Sequence, residues 1–418
     1  MGVIDMAIVK AFNGIRPRLD LGEKIAALPY DVYNTKEAME IVKKNPYSFL
    51  RIDRAETTFD NPLEIDIHST EVYKAAHDTL WEMINNGEFI EDANPCYYIY
   101  ELIMNGRSQT GIVGCSSVDD YLNNIVKKHE NTLKVKEQDR INHINICNAQ
   151  TGPIFLAYSN NESINKIVNK IKEKVPVYDF ISEDEITHRV WIVNDINDVL
   201  EIYEGFKNVA CTYIADGHHR AASAVNVALK KRKENKLHTG KEEYNFFLSV
   251  LFPHNQLKIM DYNRVVKDLN GLTEEQFLDK MKEKFEIELC GKNQYKPLLK
   301  GNLGMYLGNN WYKLKIRENY IPNDPVESLD VAILQNEVLS PILAIDDPKT
   351  NKRIDFVGGI RGLSELERRV SEDMTVAFAM YPTDIKELFQ VADAGLLMPP
   401  KSTWFEPKLR SGLFIHKI

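Results

Sequence analysis

The stretch Tyr213 to Val225, YIADGHHRAASAV, narrows the fold more than any other part of the chain. The apolar run Val209 to Ala215 reads as a strand, Asp216-Gly217 as a turn, and the alanine-rich segment from His218 to Lys231 as a helix. A strand that turns straight into a helix presents the unpaired N–H groups and positive dipole end of that helix at the turn, which makes an anion site. Gly217 lets the backbone come close to a ligand, Asp216 is placed to cap the helix, and His218, His219 and Arg220 add donors within one turn. The slim Ala221, Ala222 and Ala224 suit close packing on a sheet. The unit reads as a phosphate cradle, but not as a Walker loop or a dinucleotide fingerprint, since neither G-x-x-x-x-G-K-S/T nor G-x-G-x-x-G occurs. The plainer alternative is a capped helix whose histidines are surface or satisfied core residues. A zinc site is a weaker rival, because further ligands would have to come from distant His129, His143 or His254 without H-x-x-x-H spacing.

The rest of the chain alternates strands and helices. Asn34 is a candidate cap for a helix over Thr35 to Lys44, Ser48 to Ile52 reads as a short strand, and Val72 to Ile84 as a helix. Pro95 to Ile103 and Gln109 to Val118 predict a hairpin turned at Asn105-Gly106. Asn160 to Glu173 reads as helix, Val190 to Val193 and Phe246 to Phe252 as strands, and Leu272 to Phe285 as amphipathic helix. A second hairpin is expected across Gly308-Asn309-Asn310, and Leu329 to Leu343 has helical spacing. The class is therefore α/β, in its mixed α+β form.

At 418 residues the chain is long enough for two lobes, and neither a repeat nor a Gly/Ser or Pro-rich linker divides it. A net charge of -9 argues against nucleic acid as the main partner. The five cysteines are widely spaced with no C-x-x-C pair, so a reducing cytoplasm is the expected compartment. No secretory signal or bilayer-spanning run is expected, and Met6 argues against myristoylation of Gly2.

Two further clusters carry chemistry. In Ile125 to Thr132, IVKKHENT, the cations Lys127, Lys128 and His129 can hold negative charge, and Glu130 can act as general base or as a ligand for Mg²⁺. Read alone, it is as readily a solvated charged loop. In Met398 to Gly412, MPPKSTWFEPKLRSG, three prolines stiffen a segment bearing Lys401, Ser402, Thr403, Lys408 and Arg410, which reads as a fixed binding loop or as a C-terminal strand pinned by Trp404 and Phe405. The turn Leu28 to Asn34, LPYDVYN, offers Asp31 as a cap and little else.

Together LPYDVYN, KKHENT, IADGHHRAAS and MPPKSTWFEPKLRSG, from about Ala11 to Ile418, resemble a prokaryotic family, formerly a domain of unknown function, of free L-serine kinases of the SerK type. The DGHHR turn is similar to the phosphate-binding turn of the ParB/sulfiredoxin-like superfamily. The resemblance implies a ParB/sulfiredoxin-like nucleotide-binding lobe over residues 6–255 and an α+β lobe over 256–418 that returns a C-terminal binding loop to the site. It further implies phosphoryl transfer from ATP or ADP, with Mg²⁺, to the hydroxyl of free L-serine; the charge and the lack of an apolar span lead to the expectation of neither nucleic acid nor membrane as partner, and a homo-oligomer is possible. Gly217, His218, His219, Arg220, His129, Lys401, Ser402 and Thr403 are then expected on the nucleotide. Glu130, Asp216, His219 and Arg220 are expected at the reacting groups, Glu130 as base, with Asp216 or Glu130 on the metal. Ala221 stands where many relatives are expected to have Tyr, which alters what packs beside the nucleotide. The alternatives are a non-catalytic nucleotide-binding regulator and a metal-dependent hydrolase.

Overall fold

The structure, a computed structural model, describes residues 6–418, so Gly2 lies outside the described residues. The chain divides into two units: the first runs to Leu257 and resumes at Pro407–Ile418, and the second is Lys258–Glu406. The final segment, assigned above to the second lobe, groups with the first unit.

In the first unit, nine strands among the described residues form one mixed sheet. They are β1 (Val9–Lys10), β2 (Tyr97–Met104), β3 (Arg107–Ser117), β4 (Val126–Lys127), β5 (Ile154–Tyr158), β6 (Tyr178–Ile181), β7 (Thr187–Val193), β8 (Thr212–Asp216) and β9 (Phe246–Pro253). Their order is β4-β8-β5-β9-β3-β2-β7-β6, with β1 also on β3. The β4/β8 and β5/β9 pairs are parallel and the others antiparallel. The β2–β3 hairpin closes over Asn105 and Gly106 at φ 52° and 76°, the two left-handed residues that a type I′ turn requires.

Seven helices of this unit matter to the site: α1 (Thr35–Lys44), α2 (Leu50–Asp53), α3 (Thr70–Asn85), α4 (Lys134–Cys147), α5 (Glu162–Lys172), α6 (Ile196–Phe206) and α7 (His218–Glu234). Asn34 caps α1 in a full capping box with Glu37, as its position before the helix implies. α5 and α6 set Ile164, Ile167, Ile171, Ile202 and Phe206 into one core with sheet residues Ile99, Ile112, Leu156, Phe247 and Leu251. Each such side chain contributes roughly 1.5–3 kcal/mol on burial. A second core gathers Phe49, Leu50, Ile52, Val72, Leu80 and Met83. All five cysteines are unpaired. Among the described residues, no helix is long and apolar enough to cross a membrane.

The second unit holds a six-stranded sheet: β10 (Tyr262–Val266), β11 (Phe285–Gly291), β12 (Asn302–Leu307), β13 (Asn310–Ile316), β14 (Ile354–Gly358) and β15 (Val376–Ala379), in the order β11-β13-β12-β15-β10-β14. Its core contains Val265, Trp311, Val357 and Leu366.

Three elements differ from their sequence reading. Ser48–Ile52 is no strand: the segment enters the helical turn α2, held by Arg54, which donates to the carbonyls of Tyr30 and Tyr33 at 3.2 and 2.8 Å and to Glu56 Oε1 at 2.7 Å. A short apolar run carries no period to separate the two states, so tertiary contacts decide it. The strand expected from Val209 begins only at Thr212. The helical pattern of Leu329–Leu343 is an α-turn, Asp330–Leu334, that widens to a π-helix over Gln335–Leu339.

Candidate functional site

The strand–turn–helix unit forms as its residue types require. β8 ends at Asp216, Gly217 adopts φ 96° and ψ 32°, and α7 begins at His218. A β-bulge against β5 lies between Ile214 and Asp216 and re-aims the strand end. At Gly217 a β-carbon would stand 3.0 Å from Arg220 Nε and 3.1 Å from Nη2, so glycine is needed both for its torsion and for the guanidinium lying against it. Ala221, Ala224, Val225 and Ala228 are buried under the helix, as the slim face implied.

Asp216 does not cap the helix. The N-cap residue is Gly217, with no side-chain cap hydrogen bond. The Asp216 carboxylate instead receives Lys408 Nζ at 3.1 Å and lies 3.9 Å from Arg220 Nη2. Burial pushes its pKa up, but the charges of Lys408 and Arg220 outweigh burial and hold it well below the usual carboxylate range. Arg220 Nη1 also donates to the Pro153 carbonyl at 2.5 Å, which ties α7 to the segment leading into β5.

The parallel pairing of β4 with β8, Val126 opposite Thr212 and Lys127 opposite Tyr213, draws KKHENT alongside DGHHR, although 86 residues separate Thr212 from Val126. The His129 and His218 rings meet edge to face with centroids 4.5 Å apart. His129, expected above as a cation, is 2% exposed, and burial pushes its pKa down to about 4, so it is neutral at pH 7. His218 is held well below its ordinary value by burial and then by His129. Its Nε2 is buried with no hydrogen-bond partner among the described residues, and its Nδ1 lies 3.9 Å from Glu130 Oε2. His219, expected as a donor, accepts the Leu133 backbone N–H through Nε2 at 3.0 Å, which leaves Nδ1 as its N–H. Lys127 and Lys128 lie over the Tyr213 and Tyr121 rings at 5.9 and 4.4 Å.

Lys401, Ser402 and Thr403 belong to the second unit. There Lys401 has φ 59°, its ammonium lies 5.6 Å from the Tyr262 ring centre, and its carbonyl accepts Arg264 Nη2 at 3.0 Å. Ser402 is buried, its hydroxyl donating to the Pro399 carbonyl at 2.6 Å and its carbonyl accepting Thr383 Oγ1 at 2.9 Å. The C-terminal segment of the first unit contributes Lys408 to the site. Arg410 is structural: it donates to Ser182 Oγ at 3.0 Å and pairs with Asp184.

Sequence reasoning left unassigned a set of buried and half-buried polar residues beside Arg220. Tyr30, Asp53, Arg140, His143 and Thr151 line one space with Arg220. Asp53 and Arg140 are 5% and 8% exposed. No local signal marks them, since Asp53 lies between Arg51 and Arg54 and Arg140 lies in the polar run KEQDRINHIN.

No curated protein matches the chain. Among solved structures, a free serine kinase mutant in complex with ADP shares 13% identity over 75% of this chain and 92% of its own, at a TM-score of 0.36. SbnI with a C-terminal truncation, from Staphylococcus aureus, shares 10% over 70% and 82%, also at 0.36. A conserved hypothetical protein from Pyrococcus furiosus shares 14% over 72% and 95%, at 0.32. Likenesses of that size assign neither fold nor activity. The sequence match is more decisive: the model of the family described as "Protein of unknown function (DUF1015)" covers residues 9–332, and the chain belongs to that family.

Proposed function

We propose that the protein is a small-molecule kinase that transfers a phosphoryl group from ATP or ADP to the hydroxyl of free L-serine, with the turn at Gly217 as its phosphate cradle. The observation that carries this reading is the helix start at Gly217, flanked by Arg220 and Lys408. It offers backbone N–H groups and two cations in one place, and its neighbour KKHENT adds a carboxylate. Phosphoryl transfer asks mainly for such positioning and charge neutralisation. The resemblance of four motifs to the free serine kinases supports serine as acceptor.

In this mechanism the first-turn N–H groups of α7 and Arg220 bind the donor phosphates. Asp216 orients Arg220 and Lys408, and His219, fixed by the Leu133 N–H, holds the neighbouring loop against the cradle. Neutral His218 and His129 add no charge of their own and exclude water from that side of the turn. Glu130, 38% exposed at its side chain, takes the proton of the acceptor hydroxyl.

Among the described residues, no group of three or more His, Cys, Asp or Glu side chains could hold a metal ion. Mg²⁺ in kinases is held by one or two carboxylates together with substrate phosphates, so this donor set still fits it. Asp216, or the Glu130 oxygen not used as base, would be its protein ligand. Bound there, the ion would neutralise charge on the phosphate oxygens.

The test is the pair Arg220→Gln and Glu130→Gln. The first should weaken nucleotide binding tenfold or more, and the second should abolish turnover while nucleotide still binds. Full turnover in Glu130→Gln removes it as base, and nucleotide binding without turnover on any hydroxyl substrate favours a nucleotide-binding regulator.

A further inference from the structure

Helix α4 carries an arginine that the phosphate cradle does not use. Arg140 is 8% exposed, its Nε donates to Asp139 Oδ2 at 2.8 Å, and its guanidinium lies 3.9 Å from the centre of the Tyr30 ring. Asp139 is itself fixed by the Tyr73 hydroxyl at 2.8 Å and by His68 Nδ1 at 3.0 Å. These contacts set the plane of the guanidinium, yet neither terminal nitrogen makes a hydrogen bond among the described residues. A buried guanidinium with its fork open is shaped for a carboxylate or a phosphate.

Asp53 decides between the two. It lines the same space, is 5% exposed, and accepts Thr151 Oγ1 at 3.0 Å through Oδ1, while Oδ2 has no partner among the described residues. A buried carboxylate so placed repels a phosphate dianion and calls for a cationic donor. His143 supplies none, since burial pushes its pKa down to about 4 and its Nε2 donates to the Ile52 carbonyl at 3.2 Å. A ligand that satisfies both walls bears a carboxylate and an ammonium.

The space is of matching size. Tyr30, Asp53, Arg140 and His143 line both a cavity of about 320 Å³ and an adjoining slot of about 30 Å³. The slot reaches Thr151 and Arg220, and Arg220 also faces Asp216. One wall of the slot therefore belongs to a residue that the cradle uses.

We infer that this cavity is the acceptor subsite and binds a small α-amino acid as its zwitterion, Arg140 holding the carboxylate and Asp53 the ammonium, with the side-chain hydroxyl directed toward Arg220. The inference rests on the kinase reading for the word acceptor, but the binding it asserts is measurable without turnover.

Equilibrium binding of radiolabelled L-serine is measured with the full chain, its Arg140→Lys and Asp53→Asn variants, and ATP binding as a control on folding. Each variant should bind serine at least tenfold more weakly with ATP affinity unchanged, and in turnover KM should rise far more than kcat falls. On the wild-type chain, serinol, which lacks the carboxylate, and 3-hydroxypropionate, which lacks the ammonium, should displace serine at least tenfold less well than unlabelled serine. That comparison decides the matter even where a variant loses its fold. Undiminished serine binding in both folded variants, displacement by either analogue as effective as by serine, or no amino-acid binding by the wild type overturns the inference. Serine transfer that survives in the variants with unchanged KM leaves the kinase reading intact and removes only this subsite. Serine binding that depends on Arg140 and Asp53 without phosphoserine formation keeps the subsite and removes the kinase.

Discussion

Replacing Gly217 by Ala tests whether the turn is built around Arg220. The substitution places a β-carbon on a residue at φ 96°, which costs an L-residue about 1–2 kcal/mol. It also sets that carbon 3.0–3.2 Å from Arg220 Nε, Nη2 and Cζ. The guanidinium cannot swing away freely, because Nη1 is bound to the Pro153 carbonyl at 2.5 Å. Displacing a hydrogen bond from a charged group costs a further ~1.5–3 kcal/mol if it is lost outright. Gly106, in the same unit, has φ 76° but nothing within 4 Å of its missing β-carbon, so Gly106→Ala incurs the torsional cost alone. Urea unfolding of the two variants should therefore differ by about 1–3 kcal/mol, with Gly217→Ala the less stable. Isothermal titration with ATP should show at least tenfold weaker binding for Gly217→Ala and none of that loss for Gly106→Ala. Equal destabilisation by the two, with ATP affinity unchanged in both, would refute the coupling of turn and guanidinium.

Lys408→Met should weaken ATP binding by about tenfold, the size of one charge-assisted contact, and Lys408→Arg should recover most of it; calorimetry reads both. His129 is neutral in the folded chain, with its pKa lowered to about 4, and charged in the unfolded chain below about pH 6.5. Its contribution is therefore complete above pH 6.5 and declines as pH falls toward 4, the unfolded state binding the extra proton. His129→Gln should flatten the pH dependence of stability across that window by about 1.4 kcal/mol per pH unit, measured by urea unfolding at a series of pH values. Asn34→Ala removes a complete capping box and should cost about 1 kcal/mol by the same assay, with ATP affinity untouched.

The parts legible in the sequence are those whose signal is local. YIADGHHRAASAV encodes its own strand, turn and helix, and Asn105-Gly106 and Asn34 encode a hairpin and a cap, because torsion and capping act within a few residues. Asp216 reads as a cap by the same logic, yet its carboxylate turns to Lys408, 192 residues away, and no local rule carries that information. His129 and His219 illustrate a second limit. Their residue types are polar, but burial makes one neutral and a backbone N–H makes the other an acceptor. Arg140 and Asp53 show the third: they are 87 positions apart in the chain, and only the packing of α2 and α4 brings both to one cavity. Residue types at a site are thus readable from sequence, whereas charge state and pairing are set by the fold.

The central claim is phosphoryl transfer at the Gly217 cradle, and phosphorus NMR of the purified protein with Mg²⁺, L-serine and either ATP or ADP tests it most directly. The account predicts a growing phosphomonoester resonance of O-phosphoserine that requires serine and is lost in Glu130→Gln. The contradicting result is the absence of any such resonance with both donors, across L-serine and other small hydroxyl substrates, from protein that binds the nucleotide.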